Sequence, residues 1–123
     1  MGRIVHFEIT ADDVQRAVDF YATAFGWKLE ESPFAEAYHR AGTGDGDGID
    51  GAIMARKYRA QPAIIWIDVD DVDQALSAVQ EAGGAQINAV NTIPGHARVV
   101  YVTDSEGNVV GLRQALTAHP PTG

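Results

Sequence analysis

Residues 5–28, VHFEITADDVQRAVDFYATAFGWK, recur as residues 63–86, AIIWIDVDDVDQALSAVQEAGGAQ, at a constant offset of 58 residues and without gaps. In both copies an alternating apolar stretch leads through a pair of aspartates into an amphipathic stretch that ends at glycine. An internal repeat of this length predicts two packed copies of one supersecondary unit, with any site lying between them.

The first copy has the pattern of a strand followed by a helix. Residues 5–9 alternate between apolar and polar side chains, which is typical of a half-buried strand. A helix capped by Asp12 or Asp13 carries apolar residues at helical spacing and ends at Gly26. Three more strands are predicted over residues 27–30, 36–41 and 51–56, with a glycine–aspartate loop over 43–51.

The second copy repeats this order. Residues 63–69 alternate again, and a helix over residues 71–82 presents Val72, Leu76 and Val79 on one face. Later strands are predicted over residues 85–89, 98–103 and 109–114, with a loop before the second and a tight turn before the third. Both halves are therefore predicted to be strand–helix–strand–strand–strand.

Composition restricts the classes of function. The 123 residues fit one domain, and 46% hydrophobic residues allow a substantial core. The chain has no cysteine, which excludes disulfides and thiolate metal sites. A net charge of −8 argues against nucleic-acid binding. No apolar run approaches the roughly 20 residues that span a bilayer, so we expect a cytoplasmic protein without membrane contacts.

Three segments resemble the vicinal oxygen chelate superfamily, the glyoxalase/bleomycin resistance/dioxygenase-like proteins. They are IVHFEI at residues 4–9, FYATAFGW at 20–27 and DSEGNVVGL at 104–112. The resemblance implies an α+β fold in which two tandem βαβββ modules form curled mixed sheets around a shared cavity. It also implies a homodimer, since curled sheets leave edges that such proteins bury in a symmetric pair.

These expectations define a domain organisation. We expect a single domain over residues 1–116, made of modules over 3–57 and 62–116, followed by a flexible tail over 117–123.

Enzymes of this superfamily hold a divalent metal with one residue from the first and one from the last strand of each module. By resemblance, the first-strand positions are His6 and Ile64, and the last-strand position of the second module is Gly111. The corresponding position of the first module lies within residues 51–53, none of which has a coordinating side chain. One ligand cannot form a zinc, nickel or iron site, so we expect neither a metal nor another cofactor.

Strand alternation predicts which residues line the cavity. If residues such as Phe7 and Ile67 face the helices, their neighbours His6, Glu8, Trp66 and Arg113 face the cavity. We expect His6 and Glu8 to be catalytic, because a carboxylate can raise the basicity of an imidazole for proton transfer. The expected ligand-binding residues are Trp66, Arg113, Ile64, Gly111 and Tyr101.

Structural alternatives remain for each of these residues. His6 can be a remnant of an ancestral metal site, Glu8 and Arg113 can simply form an ion pair, and Trp66 can be a packing residue. The strand facing of Tyr38 and His39 is left open by the sequence.

Two classes of function fit these residues. The first is a metal-independent protein that binds a small organic molecule in the inter-module cavity, as antibiotic-resistance members of the superfamily do. The negative net charge of the chain would then attract a cationic ligand, and the Trp66 ring could stack on an aromatic one. The second is a lyase, isomerase or cyclase that uses His6 and Glu8 for acid–base chemistry. A metal-dependent glyoxalase-type enzyme, with ligands from other positions, is a third possibility.

Overall fold

A computed structural model describes residues 2–116, and its helices and strands follow the repeat. The first repeat contains β1 (Ile4–Ala11), α1 (Val14–Phe25), β2 (Lys28–Glu31), β3 (Tyr38–Gly42) and β4 (Gly51–Ala55). The second contains β5 (Ala63–Asp68), α2 (Val72–Glu81), β6 (Ala85–Gln86), β7 (Asn91–Ile93), β8 (Ala97–Thr103) and β9 (Val109–Ala115). The predicted flexible tail, residues 117–123, lies outside the described residues.

The described residues form two compact units. The first unit is Val5–Ile65, and the second unit combines residues 66–116 with residues 2–4. The predicted single domain with modules over 3–57 and 62–116 stays a prediction. Within residues 2–116, no helix is long and apolar enough to cross a membrane.

The first unit is built on a parallel pair of strands. β1 runs parallel to β4, with Phe7 opposite Gly51 and Glu8 opposite Ala52, and β3 and β2 continue the sheet in antiparallel fashion. A Cβ atom at Gly51 would lie 2.5 Å from the carbonyl oxygen of Phe7 and 2.6 Å from its ring. The close packing of Phe7 on β4 therefore requires glycine at residue 51.

A series of aromatic rings attaches α1 to the sheet of the first unit. The helix is capped by Asp13 and ends at Gly26, whose φ of 71° is left-handed, as predicted. The Tyr21 and Trp27 rings stack with centroids 4.6 Å apart, and Trp27 lies 5.6 Å from Phe7. Every residue of α1 nevertheless keeps part of its surface exposed.

The second unit has the hydrophobic core that its sequence predicts. The core cluster consists of Val72, Leu76, Val100, Val102 and Leu112, with Ile67, Val69 and Val110 among the residues packed against it. Strand alternation therefore predicted correctly which side of β5 and β9 faces α2. Ile65 was predicted to face the helix as well, but it is 40% exposed.

The second repeat contains a strand that the sequence analysis missed. We predicted one strand over residues 85–89 and a loop after it, but β6 ends at Gln86. The side-chain oxygen of Asn88 accepts the Tyr101 N–H at 2.8 Å, in place of a strand carbonyl. β7 then forms a hairpin with β8, in which Ile93 pairs with Ala97. The order is therefore βαββββ, and the other predicted boundaries agree to within two residues.

The turn between β8 and β9 is organised by Asp104. Its carboxylate accepts backbone N–H bonds from Asn108 at 2.9 Å and Glu106 at 2.8 Å, and the side-chain amide of Asn108 at 3.1 Å. The N–H bond from the Asn108 backbone, with the other two, lowers the pKa of Asp104 below its ordinary value of 3.8. The ionised carboxylate therefore stabilises the folded state.

We predict that Asp104→Asn lowers the free energy of unfolding at pH 7, because a neutral amide oxygen accepts these bonds more weakly. Since the folded pKa of Asp104 is depressed, its contribution is complete above pH 3.8 and is lost as the pH falls through the folded value. Urea unfolding at several pH values should show the two proteins converging in acid. Asp45→Asn, in the exposed loop, is the control. A constant difference at all pH values would contradict the prediction.

Candidate functional site

The first unit places a histidine and a tyrosine in contact on one face of its sheet. Phe7 contacts Trp27, so its strand neighbours His6 and Glu8 project from the opposite face of β1. His6 Nε2 and the Tyr38 hydroxyl oxygen are 3.1 Å apart and share a hydrogen bond. Both residues are half-buried. If the Tyr38 hydroxyl donates, the His6 proton lies on Nδ1.

Tyr38 is a candidate site residue that the sequence analysis could not place. In the observed register Tyr38 lies opposite Met54, which lies opposite Thr10 on the His6 face of β1. His39 lies opposite Ile53 and therefore belongs to the other face. Once the register of β3 against β4 is known, alternation alone assigns Tyr38 to the site.

Glu8 lies two residues from His6 on the same face and is 2% exposed. Carboxylates are rarely buried to this extent unless their environment compensates for the lost water. The burial of Glu8 fits a structural hydrogen-bonded carboxylate as well as a functional one. Ile64, another predicted site residue of this unit, is 1% exposed.

In the second unit, Trp66 occupies the space above Gly111. The two residues lie opposite each other in parallel strands β5 and β9, and a Cβ atom at residue 111 would lie 2.2 Å from the indole ring. Tyr101, opposite Gly111 in β8, places its ring centroid 5.0 Å from that of Trp66. Trp66 is only 6% exposed. The structure thus favours the packing alternative for Trp66 over an open stacking surface.

Arg113 forms an ion pair within the second unit. Its guanidinium lies 3.7 Å from a carboxylate oxygen of Asp68, which is opposite it in β5. The alternative that Arg113 also pairs with Glu8 stays a prediction. Both side chains are more than one-third exposed, so the pair contributes little to stability. Arg113 can still offer guanidinium donors to an anionic group.

The strand register also locates the remaining metal-ligand position that the resemblance implies, which is in the last strand of the first module. Glu8 and Trp66 are equivalent in the repeat, and they lie opposite Ala52 and Gly111 respectively. Ala52 is therefore the position that the sequence left open within residues 51–53. The four implied positions are therefore His6, Ala52, Ile64 and Gly111. Of these residues, only His6 has a side chain that can coordinate a metal. The residues at these positions do not fit the metal that the resemblance implies, and no three His, Asp or Glu side chains within residues 2–116 form a metal site.

Comparison with known proteins agrees with this fold. Residues 3–112 match the model of the Glyoxalase/Bleomycin resistance protein/Dioxygenase superfamily. A glyoxylase-like domain-containing protein from Didymella fabae is 32% identical over 87% of this chain and 89% of its own length. A probable lactoylglutathione lyase from Vibrio parahaemolyticus is 26% identical over 92% of this chain and 91% of its own length.

A solved structure extends the likeness to the fold. It is a variant of Streptomyces coelicolor methylmalonyl-CoA epimerase in complex with 2-nitronate-propionyl-CoA. It aligns with a TM-score of 0.67 and 17% identity, over 98% of this chain and 99% of the epimerase chain. The α+β fold with mixed sheets is therefore confirmed. The chain belongs to the Glyoxalase/Bleomycin resistance protein/Dioxygenase superfamily.

We predict that Gly111→Ala destabilises the protein by about 1–3 kcal/mol, because the new methyl group collides with the Trp66 ring. Chemical denaturation measures the change. Gly42→Ala is the control, since a Cβ atom there meets its nearest neighbour at 3.7 Å, an ordinary contact.

A double-mutant cycle identifies the cause. In a Trp66→Ala background the same Gly111→Ala change should cost much less, because the colliding ring is gone. Equal costs in both backgrounds would show that the indole does not exclude side chains from residue 111.

Proposed function

We propose that this protein binds a small organic molecule on the sheet face that carries His6, and that it does so without a transition metal. The observation that carries this proposal is the hydrogen bond between His6 Nε2 and the Tyr38 hydroxyl. His6 lies at the position of a metal-ligating histidine in enzymes of the superfamily, and here its ring is bonded to the Tyr38 hydroxyl. A half-buried imidazole and hydroxyl form a polar pair that can recognise a carbonyl or hydroxyl group of a ligand.

The surroundings of this pair support a binding role. Glu8 on the same face is 2% exposed, so a ligand would reach the half-buried His6 and Tyr38 more readily than this carboxylate. The epimerase in complex with 2-nitronate-propionyl-CoA shares the fold alone, and it supports the proposal only in that this fold can hold an organic ligand. That the ligand lies between the two modules, and that Trp66, Arg113, Ile64, Gly111 and Tyr101 contact it, stay predictions.

The second candidate is a lyase, isomerase or cyclase. The observation that favours it is the burial of Glu8, 2% exposed and on the same strand face as His6. In this reaction class His6 and Glu8 would exchange a proton with the substrate, and the Tyr38 hydroxyl would hold the imidazole in one tautomer. The relative named as a probable lactoylglutathione lyase makes lyase chemistry a specific hypothesis.

We predict that zinc, nickel and manganese do not raise the melting temperature of the purified protein. A metal that bound only the folded state at 100 times its Kd would stabilise it by about 2.7 kcal/mol. Thermal denaturation with and without each metal measures this, and His6→Ala is the control for binding by other histidines. A stabilisation that disappears in His6→Ala, with about one metal per chain by elemental analysis, would contradict the metal-free proposal.

Three variants, Tyr38→Phe, His6→Ala and Glu8→Gln, test the site and distinguish binding from catalysis. A ligand is needed first, and lactoylglutathione, methylmalonyl-CoA and a cationic aromatic drug are the compounds to screen by calorimetry. For a binding protein, Tyr38→Phe should weaken affinity about tenfold, the effect of one lost hydrogen bond. Tyr58→Phe is the matched control, because its hydroxyl bonds the Glu36 carbonyl at an exposed position.

An enzyme should respond differently. His6→Ala and Glu8→Gln should then reduce turnover by about 10²–10⁴-fold while affinity changes much less. If His6→Ala, Glu8→Gln and Tyr38→Phe all leave affinity and turnover unchanged, the site lies elsewhere.

A further inference from the structure

The helix of the first repeat exposes an aromatic surface. Phe20 is 57% exposed and Phe25 is 63% exposed, and their ring centroids lie 6.2 Å apart in an edge-to-face arrangement. Tyr21 lies between them in sequence and contacts both rings, with centroids 5.0 and 6.1 Å away. We call Phe20, Tyr21 and Phe25 the aromatic face. Large contiguous apolar groups on a surface usually mark a site of interaction.

The second repeat shows what such a helix needs in order to fold. At the offset of 58 residues, Phe20 corresponds to Ala78 and Phe25 to Gly83. With small residues at these positions, α2 still packs on its sheet and buries Val72 and Leu76. The two phenyl rings are therefore not required to attach the helix. They are additional apolar surface that only the first repeat carries.

A groove of about 650 Å³ lies beside the aromatic face within the first unit. Its apolar wall includes Ile9, Ala17, Pro62 and Ala63, and Phe20 stands at its edge. One surface thus carries both exposed rings and a depression large enough to receive one. In a two-fold symmetric dimer the same surface of both copies meets. A ring of one copy can then enter the groove of the other copy, and the reverse contact forms at the same time.

The charges around the groove favour a second copy of this chain over a highly charged partner. The groove is lined by two carboxylates, Asp12 and Asp13, and two guanidiniums, Arg16 and Arg56. These charges balance locally, although the whole chain has a net charge of −8. Asp12 is paired with Arg56 of its own chain at 3.0 Å, so the groove has no excess charge of one sign with which to repel the same surface of a second copy.

We propose that the aromatic face and its groove form the interface of a homodimer, in which a phenyl ring of each copy enters the groove of the other. The sequence predicts a homodimer but does not locate its surface. Stable interfaces bury about 800 Å² on each partner, and a few central aromatic or arginine side chains supply most of the affinity. Phe20, Phe25 and Arg16 are groups of this kind. The proposal is independent of the ligand and of the metal.

Sedimentation velocity on the full chain, over a wide range of concentrations, tests the interface. The unmodified chain should form a dimer at micromolar concentration. The double variant Phe20→Ala/Phe25→Ala should weaken the dimer by at least about 100-fold, since it removes both aromatic anchors. Phe34→Ala is the matched control, because Phe34 is 70% exposed but lies outside α1, and it should leave the dimer unchanged.

Chemical labelling after folding separates loss of the dimer from loss of the fold. The chain has no cysteine, so Ala24→Cys and Ala82→Cys each introduce a single thiol. These are equivalent exposed positions of the two repeats, the first beside Phe25 and the second at the end of α2. A bulky maleimide on the first thiol should dissociate the dimer, and the same group on the second should not.

Three results would overturn the proposal. The first is a monomer at all concentrations, which would assign the aromatic face to a different partner. The second is a double variant that dimerises as tightly as the unmodified chain. The third is a dimer that survives labelling at Ala24→Cys, which would place the interface on another surface.

Discussion

In each repeat the first strand lies parallel to the last, and this pairing decides which side chains can meet. In the first unit it places Glu8 against Ala52, and in the second unit it places Trp66 against Gly111. Parallel strands hold this register through evenly spaced backbone hydrogen bonds, so a side chain cannot choose another partner without shifting a whole strand. Glycine at residue 51 and again at residue 111 allows a large ring to lie flat against the paired strand. In the first unit the ring is Phe7, which contacts Trp27 next to α1, and in the second unit it is Trp66, whose neighbour Ile67 faces α2 instead.

Much of the fold could be predicted from the sequence because the repeat and the strand alternation are both local patterns. The two helices, the core of the second unit and the left-handed Gly26 follow from spacing alone. The extra strand β7 could not be predicted in this way. The preceding strand ends where the Asn88 side-chain oxygen accepts the Tyr101 N–H, a hydrogen bond that no periodicity reveals.

The candidate site was predictable only in part. Alternation correctly assigned His6 and Glu8 to one face, but Tyr38 needed the register of β3, which depends on long-range pairing. Trp66 was assigned a ligand role on the basis of its chemistry, whereas its burial depends on the absence of a side chain at Gly111, more than 40 residues away. Residue types show what a site can do, but contacts across the sheet decide which atoms remain accessible.

The occupation of residue 111 by glycine has a consequence for the evolution of this chain. Any larger side chain at this position would collide with the indole, and removal of the indole alone would leave a cavity that costs about 3–5 kcal/mol. Natural domains have only about 5–15 kcal/mol of stability in total, so either single step comes close to unfolding the protein. The effects of the two changes are therefore coupled, because a smaller residue at position 66 removes the collision at residue 111. The residues at positions 66 and 111 therefore constrain each other, and a larger side chain at residue 111 requires a smaller one at residue 66.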